Sequence, residues 1–170
     1  EVYKGLGAEF VDVELPLLKY ALPVYYILAC AEASSNLGRF DGIRYGYKAK
    51  DTDELDEMIK RTRSEGFGRE VQRRILLGTY VLSSGYFDAY YKKAQLLRRA
   101  IIRDFEKNFT NCDLMLTPTV PVAVPKLGAD LDPIEVYHLD ICTVTVNIAG
   151  LPAISEPCGF DRNGLPTGMQ

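Results

Sequence analysis

The sequence predicts a layered α/β protein in which helices dominate, and three observations support this fold class. Apolar residues recur at helical spacing through most of the chain between residues 23 and 147. Shorter segments with strand character stand at 9–15, 113–116 and 153–160. Apolar residues make up 47% and charged residues 25% of the 170 residues, which is typical of a globular protein with a core. Because helices and strands are interspersed, we expect helical layers packed on a sheet.

The first elements are a strand and two helices. Residues 9–15 alternate polar and apolar side chains, the pattern of a half-buried strand. A helix follows from about 23 to 36, with a proline in its first turn. The next helix is predicted to begin with Asp51 as its cap and Glu54 reaching back to it, and to end near Gly66.

The middle of the chain is predicted to hold two helices, a strand and a loop. The helices run from about 69 to 82 and from about 87 to 109. The continuous apolar segment 113–116 is typical of a buried strand. Residues 117–133 contain four prolines and must form a loop.

The last part is predicted to be a helix followed by a hairpin. Asp132 and Glu135 form a capping box with proline at the first helical position, and the helix should reach about Asn147. A strand is expected at 153–160. The sequence Asp-Arg-Asn-Gly at 161–164 is a hairpin turn that leads into the partner strand.

Bulk properties exclude several classes of protein. A formal charge of −3 argues against a nucleic-acid module held by bulk charge. The four cysteines are too far apart in sequence for a compact disulfide framework, so we expect a reducing, cytoplasmic setting. No segment has the length and composition of a membrane span. Both ends look like cuts inside a larger protein, with 1–170 as part of one domain.

Four groups of residues resemble a known enzyme family. Leu-Thr-Pro-Thr-Val-Pro at 116–121, and Ala-Gly-Leu-Pro at 149–152 continued by Gly-Leu-Pro-Thr-Gly-Met-Gln at 164–170, resemble amidase-signature enzymes in general. Two others are similar in particular to the A subunits of tRNA-dependent amidotransferases. These are Glu-Ala-Ser-Ser-Asn-Leu with Arg-Phe-Asp-Gly-Ile-Arg-Tyr-Gly at 32–46, and Ser-Glu-Gly-Phe-Gly with Arg-Arg-Ile-Leu-Leu-Gly-Thr at 64–79.

The resemblance implies a fold and an activity. The fold is the amidase-signature fold, with helix-rich layers on a mixed β-sheet, of which this chain is a C-terminal portion truncated at both ends. The enzyme hydrolyses glutamine, and its ammonia passes to a partner, the B subunit, which holds Glu-tRNA(Gln). The B subunit also activates the glutamyl group with ATP and Mg²⁺, and a small C subunit holds the pair together. A preference for Asp-tRNA(Asn) stays open, as does self-association of the fragment.

Catalytic residues are not expected in this chain. The family uses a serine nucleophile activated through a second serine and a lysine on a Gly/Ser-rich segment. The serine pairs here, 34–35 and 83–84, lack that glycine context. The isolated chain is therefore expected to be inactive, and to need no cofactor or metal of its own.

Arg74 is the first candidate substrate-binding residue. On a helix it lies near the apolar stripe formed by Val71, Ile75 and Gly78, whereas Arg73 points roughly the opposite way. An inward guanidinium suits a carboxylate bidentately. The resemblance implies that Arg74 grips the α-carboxylate of glutamine. A structural salt bridge would explain the same pattern.

Asp140 and Tyr25 are the other candidates. Asp140 lies on a predicted helical face with Val136 and Val144, where a carboxylate needs a cationic or hydrogen-bonding partner. The resemblance implies the α-ammonium of glutamine, although a nearby arginine or a backbone cap would also serve. It further implies that Tyr25 touches substrate, but the adjacent Tyr26 could take that role and either could be a core residue.

Other patterns favour ordinary structure. His138 and Cys142 could share a helical face, but they supply too few ligands for a structural zinc site. The basic residues Lys92, Arg98 and Arg103 fit the outer face of an amphipathic helix better than a tRNA-binding stripe. Two alternative functions stay open at this point. One is a general amidase acting on small amides, and the other is a non-catalytic module that assembles partner subunits.

Overall fold

The structure is a computed structural model that describes residues 1–132 and 134–170, and helices form most of it. A 3₁₀ turn (Leu18–Tyr20) precedes α2, and a π-helical segment (Phe87–Lys92) leads into α5. The elements in chain order are α1 (Val2–Gly5), α2 (Ala21–Leu37), α3 (Leu55–Gly66), α4 (Arg69–Leu82), α5 (Lys93–Asn108), α6 (Pro133–Leu139), α7 (Ile141–Ala149), β1 (Glu156–Phe160) and β2 (Pro166–Met169). Among the described residues, no helix is both long enough and apolar enough to cross a bilayer.

The chain divides into two compact units. One is Pro23–Leu96, whose buried residues include Val24, Cys30 and Val81. The other combines Glu1–Leu22 with Leu97–Gln170, and its buried residues are Ala21, Ile101, Phe105, Val144, Thr145 and Ile148. The assignment of 1–170 to a single domain stays a prediction.

The helices of the unit Pro23–Leu96 agree with the sequence except at one cap. The bounds of α4 are those predicted, and α2 extends one or two residues beyond its predicted ends at each side. The capping box expected from Asp51 and Glu54 is wrong. Asp51 has a left-handed φ of 56°, and α3 begins only at Leu55, with Glu54 as an N-cap that makes no side-chain capping bond. The turn at Asp51 displaces the helix start by several residues.

The loop between α2 and α3 is anchored on α3. Nη1 of Arg63 donates to the carbonyls of Leu37 (2.9 Å) and Phe40 (3.2 Å). The amide of Ala49 donates to Oγ1 of the buried Thr62 at 2.9 Å. Since both ends of the loop are held by neighbouring residues of one helix, its conformation is tied to α3.

The hairpin at the end of the chain forms as predicted, although its first strand is shorter. Strands β1 and β2 pair antiparallel, with a bulge between Pro157 and Gly159. In the turn, Oδ1 of Asp161 accepts from the amides of Asn163 and Leu165, both at 2.8 Å. The sheet of the described residues is thus a two-stranded antiparallel hairpin. Its β2 edge is extended by Thr117, which exchanges two backbone hydrogen bonds with Gln170.

Two predicted strands are wrong. Residues 9–15 have no regular secondary structure and pair with no described strand, and Phe10 and Val11 are both about half exposed. Residues 113–116 likewise form no strand, and Leu114 is 81% exposed. An apolar pattern favours a strand, but ladder hydrogen bonds need a neighbour that these segments lack among the described residues. The predicted loop that follows, 117–133, contains no regular element until α6.

The predicted helix from 133 to 147 is two helices. Its capping box is confirmed: Oδ1 of Asp132 accepts from the amide of Ile134, and Oε2 of Glu135 accepts from the amide of Asp132. The break falls at Asp140, which ends α6 and also caps α7. Its amide donates to Tyr137, three residues back, so the chain tightens into a turn there. Helix α7 ends at Ala149, close to the predicted end near Asn147, and its C-cap Gly150 is left-handed.

Candidate functional site

A close crossing of α2 and α4 positions the first candidate residue. Gly78 of α4 is buried and lies directly against the backbone of Cys30 and the side chain of Ser34 on α2. One residue further on, the hydroxyls of Ser34 and Thr79 are hydrogen-bonded at 2.9 Å. Because glycine has no side chain, the two helix backbones approach unusually closely here. This contact fixes the face that α4 turns toward α2.

Arg74 lies on that face. The buried residues Gly78 and Val81 stand four and seven positions after it, so all three share one side of α4. The side chain of Arg74 is 32% exposed, against 55% for Arg73, which agrees with the predicted difference in direction. Its guanidinium carbon stands 5.6 Å from the ring centre of Tyr26, in the range of a cation–π contact.

Glu70, one turn before Arg74, holds its guanidinium. Nε of Arg74 donates to Oε1 of Glu70 at 2.9 Å. Oε2 of the same carboxylate accepts from Nη1 of Arg73 at 3.1 Å. Arg74 therefore makes the structural salt bridge that was the alternative to substrate binding. The hydrogen bond between the two side chains uses Nε of Arg74, and among the described residues the terminal NH₂ groups of Arg74 make no other hydrogen bond to Glu70.

We call Arg74, Glu70, Tyr26 and Cys30 the Arg74 cluster. Its electrostatics keep the arginine charged and the nearby thiol of Cys30 neutral. The hydrogen bond that Arg74 donates to Glu70 raises the pKa of Arg74, against the opposing effect of its partial burial. Burial raises the pKa of the Cys30 thiol, and the positive charge of Arg74 offsets this only in part. The cluster thus presents a permanent cation that can receive an anion, beside a thiol that is not activated as a nucleophile.

Tyr25 lies in the same unit as Arg74, at the start of α2. Its side chain is half-buried, and its ring packs edge-on against that of Tyr26, with ring centres 5.2 Å apart. The guanidinium of Arg74 stands over Tyr26 rather than Tyr25. Both tyrosines still act on the pKa of Arg74, Tyr26 more strongly. The structure brings Arg74 and Tyr25 into one cluster, and whether Tyr25 touches substrate stays a prediction.

Asp140 lies in the other unit, at the junction of α6 and α7, and is half-buried. The idea that it shares one continuous helical face with Val136 and Val144 is wrong, because the helix breaks at this residue. Its carbonyl accepts hydrogen bonds from the amides of Thr143 and Val144. Asp140 is thus placed by a helix junction, which fixes its backbone firmly. Its role toward a substrate ammonium stays a prediction.

The serine pairs have structural roles. Ser34 bonds Thr79, and the hydroxyl of Ser83 donates to the carbonyl of Tyr80 at 2.7 Å. His138 and Cys142 stand on either side of the break at Asp140, and burial raises the pKa of the Cys142 thiol. No group of three or more His, Cys, Asp or Glu residues in the described part of the chain is arranged to hold a metal ion.

Two residues of the cluster were missed from the sequence. Glu70 stands four positions before Arg74, the spacing at which opposite charges meet on a helix, and this signal could have identified it. Gly78 was counted as part of the apolar stripe, but a lone glycine inside a helix also signals close packing. Neither inference requires knowledge of the fold.

The fold belongs to the amidase family. The whole chain, residues 1–170, matches the amidase family and belongs to it, as the sequence motifs predicted. Over all 170 residues the chain is 56% identical to the A subunit of glutamyl-tRNA(Gln) amidotransferase from Neisseria meningitidis. It spans 35% of that protein, so it corresponds to about a third of the length of its curated relatives.

Solved structures agree with the family and with the predicted helix-rich α/β fold class. The crystal structure of the A subunit of glutamyl-tRNA(Gln) amidotransferase from Thermotoga maritima is similar with a TM-score of 0.62 and 41% identity. That match covers 92% of this chain and 29% of the Thermotoga chain. A crystal structure of an amidase matches with a TM-score of 0.70 at 23% identity, over 98% of this chain and 34% of that one. At this low identity the second likeness supports the fold alone.

Proposed function

We propose that this chain is the substrate-binding part of the glutamine-hydrolysing A subunit of a tRNA-dependent amidotransferase. In that reaction water adds to the side-chain amide of glutamine, the C–N bond breaks, and glutamate and ammonia leave. The ammonia converts Glu-tRNA(Gln) to Gln-tRNA(Gln). Support comes from relatives of that name at 56% identity over the full length of this chain.

The observation that carries the proposal is the position of Arg74. It lies in the subunit-specific segment 64–79, on the buried side of α4. Its guanidinium is hydrogen-bonded to Glu70 and lies over the ring of Tyr26. The terminal NH₂ groups, which the ion pair does not use, form the edge of a guanidinium that can grip a carboxylate bidentately. In the proposal, this edge receives the α-carboxylate of glutamine. The roles proposed for Asp140 and Tyr25 are those that the sequence motifs imply: Asp140 binds the α-ammonium and Tyr25 contacts the substrate.

The rest of the reaction is assigned to groups outside this chain. The serine nucleophile, its helper serine and the lysine belong to another part of the complete A subunit. The B and C subunits are its partners, with ATP and Mg²⁺ used in the B subunit to activate the glutamyl group. The proposed contribution of this chain is orientation, because both charged ends of glutamine are fixed before its amide is attacked.

The test measures glutaminase kinetics of the complete A subunit in complex with its partners. Arg74→Ala should raise KM for glutamine by about a hundredfold, the effect expected for removing one member of a desolvated charge pair. Asp140→Asn should also raise KM, and Arg73→Ala, which removes a more exposed arginine of the same helix, is the control. Unchanged KM and kcat in both Arg74→Ala and Asp140→Asn would exclude the substrate-binding role.

An assembly role for this surface is favoured by one specific observation. Aromatic and apolar side chains stand exposed where α4 meets the π-helical segment: Leu76 is 71% exposed, and Tyr80, Tyr86 and Tyr90 are each more than 40% exposed. Such residues are enriched in protein interfaces. Stable binding of this chain to partner subunits, with no affinity for glutamine, would favour assembly. Hydrolysis of simple amides as fast as glutamine would instead favour a general amidase.

A further inference from the structure

The ion pair between Glu70 and Arg74 has a geometry that bears on how a carboxylate would be held. A guanidinium carries five N–H donors around one plane and offers a carboxylate two kinds of edge. The side edge pairs Nε with one terminal nitrogen, and the end pairs the two terminal nitrogens. Glu70 takes the Nε position at 2.9 Å. A second carboxylate that approaches in the same plane is therefore left with the end.

The rest of the cluster restrains the remaining freedom of Arg74. The guanidinium carbon lies 5.6 Å from the ring centre of Tyr26 on α2. The close contact of Gly78 with Cys30 fixes α4 relative to α2, only one turn after Arg74. Glu70 stands one turn before it on the same helix, so its carboxylate and Arg74 move together as one rigid unit.

We propose that Glu70 is a positioning residue for substrate recognition: it holds Arg74 by Nε so that the two terminal NH₂ groups receive the substrate carboxylate end-on. This inference rests on the proposed function of Arg74. Glu70 touches Arg74 and not the substrate. It restricts the rotation of the Arg74 side chain before substrate arrives, so less conformational entropy is lost when the substrate binds.

The role of Arg73 separates positioning from simple charge balance. Arg73 contacts the other oxygen of Glu70 at 3.1 Å and is more exposed than Arg74. If Glu70 served only to neutralise its surroundings, either arginine would be an equivalent partner. If Glu70 positions Arg74, then loss of Arg73 leaves the Nε contact and the substrate edge intact.

The experiment compares two substrates in the complete, assembled enzyme. One is glutamine, and the other is γ-aminobutyramide, which keeps the amide and the amine but lacks the α-carboxylate. Glu70→Ala should raise KM for glutamine about tenfold, with kcat little changed. A tenfold weaker binding is the effect expected from losing one charge-assisted hydrogen bond. The constants for γ-aminobutyramide should stay the same. Glu70→Gln keeps an oxygen acceptor for Nε and should restore most of the affinity, and Arg73→Ala should behave as wild type.

A double-mutant comparison decides between a positioning and a structural role. In an Arg74→Ala background, Glu70→Ala should have no further effect on KM, because there is no guanidinium left to position. A further rise in that background, or an equal rise for γ-aminobutyramide, would overturn the inference. If Arg74→Ala itself leaves the preference for glutamine over γ-aminobutyramide unchanged, the proposed function fails. If Arg74→Ala abolishes that preference and Glu70→Ala does not reduce it, only the role of Glu70 is excluded.

Discussion

Gly78 of α4 lies so close to the backbone carbonyl of Cys30 on α2 that a methyl group at position 78 would overlap that oxygen. The overlapping atoms belong to helix backbone, so they cannot move aside as a flexible side chain would. The contact stands one turn after Arg74 and therefore sets both the distance between the helices and the direction of that arginine.

Gly78→Ala should destabilise the chain despite the higher helix propensity of alanine. Overpacking costs roughly 1–3 kcal/mol and alanine returns at most about 1 kcal/mol, so a net loss of about 1–2 kcal/mol in the free energy of unfolding is expected. Denaturant titration measures it. Gly68→Ala is the matched control, because a methyl group there meets nothing within 4 Å. Equal free energies of unfolding for the two variants would show that α2 and α4 can move apart to accept the methyl group without loss of stability.

The pKa of Glu65 should change when the hydroxyl of Tyr47 is removed. The hydroxyl of Tyr47 donates to Oε2 of Glu65 at 2.7 Å, and Nε of Arg61 donates to Oε1 at 2.9 Å. Both hydrogen bonds lower the pKa of Glu65, that of Tyr47 more. A lowered pKa in the folded state stabilises the fold above the pKa of the unfolded state, and this contribution is lost as the pH falls through the folded value.

Tyr47→Phe should therefore raise the pKa of Glu65 toward its ordinary value and reduce the stability of the fold at neutral pH. An NMR titration of the side-chain carboxyl carbon follows the pKa directly. Tyr45→Phe, at a nearby exposed tyrosine that packs on Phe40, serves as the control. A Glu65 titration curve that Tyr47→Phe leaves in place would refute the assigned hydrogen bond.

Arg98 should matter for stability and not for nucleic-acid binding. Its Nε donates to the carbonyl of Ile148, near the end of α7, at 3.0 Å. This ties α5 to the last turn of α7, whose carbonyls have no partner within their own helix. Arg98→Ala should lower the free energy of unfolding by about 1 kcal/mol, whereas Arg99→Ala should stay within about 0.5 kcal/mol of wild type. Thermal unfolding of the two variants gives the comparison, and equal losses would contradict it.

The cysteines should react with iodoacetamide in a fixed order. Cys158 is exposed on β1, whereas Cys30 is 1% exposed and its burial raises the pKa of the thiol. Since the thiolate is the reactive form, a raised pKa slows alkylation at any pH below it. Peptide mass spectrometry should find Cys158 modified first and Cys30 last. Unfolding in guanidinium should bring the two rates together, and early labelling of Cys30 in the folded chain would show that α2 and α4 separate readily.

Two local features were correctly predicted from the sequence, although the capping box expected from Asp51 and Glu54, which is equally local, did not form. The Asp132–Glu135 capping box and the turn at Asp161 involve residues at most four positions apart, and both form as predicted. The strands at 9–15 and 113–116 failed because a strand depends on a partner that no local pattern specifies. The break at Asp140 was missed because the apolar residues on both sides fit one continuous helix.

The candidate site was predictable to a similar extent. Helical periodicity gave the direction of Arg74. The spacing of Glu70 carried the signal for its partner, but the sequence analysis missed it. The stacking of Arg74 on Tyr26 could not be foreseen, because it depends on how α2 crosses α4. Periodicity describes one helix at a time, whereas a binding site is made between helices.

The long loop before α6 marks a place where the polypeptide can be divided. Residues 121–130 are all exposed, and Lys126 is their single site for trypsin. Hydrogen bonds hold the segments on either side together. Backbone hydrogen bonds join Thr117 to Gln170 and Thr119 to Gly168, and the side chain of Arg98 donates to the carbonyl of Ile148. A chain cleaved after Lys126 should accordingly stay associated as two peptides, which makes this loop a natural junction for a split reporter or an inserted affinity tag.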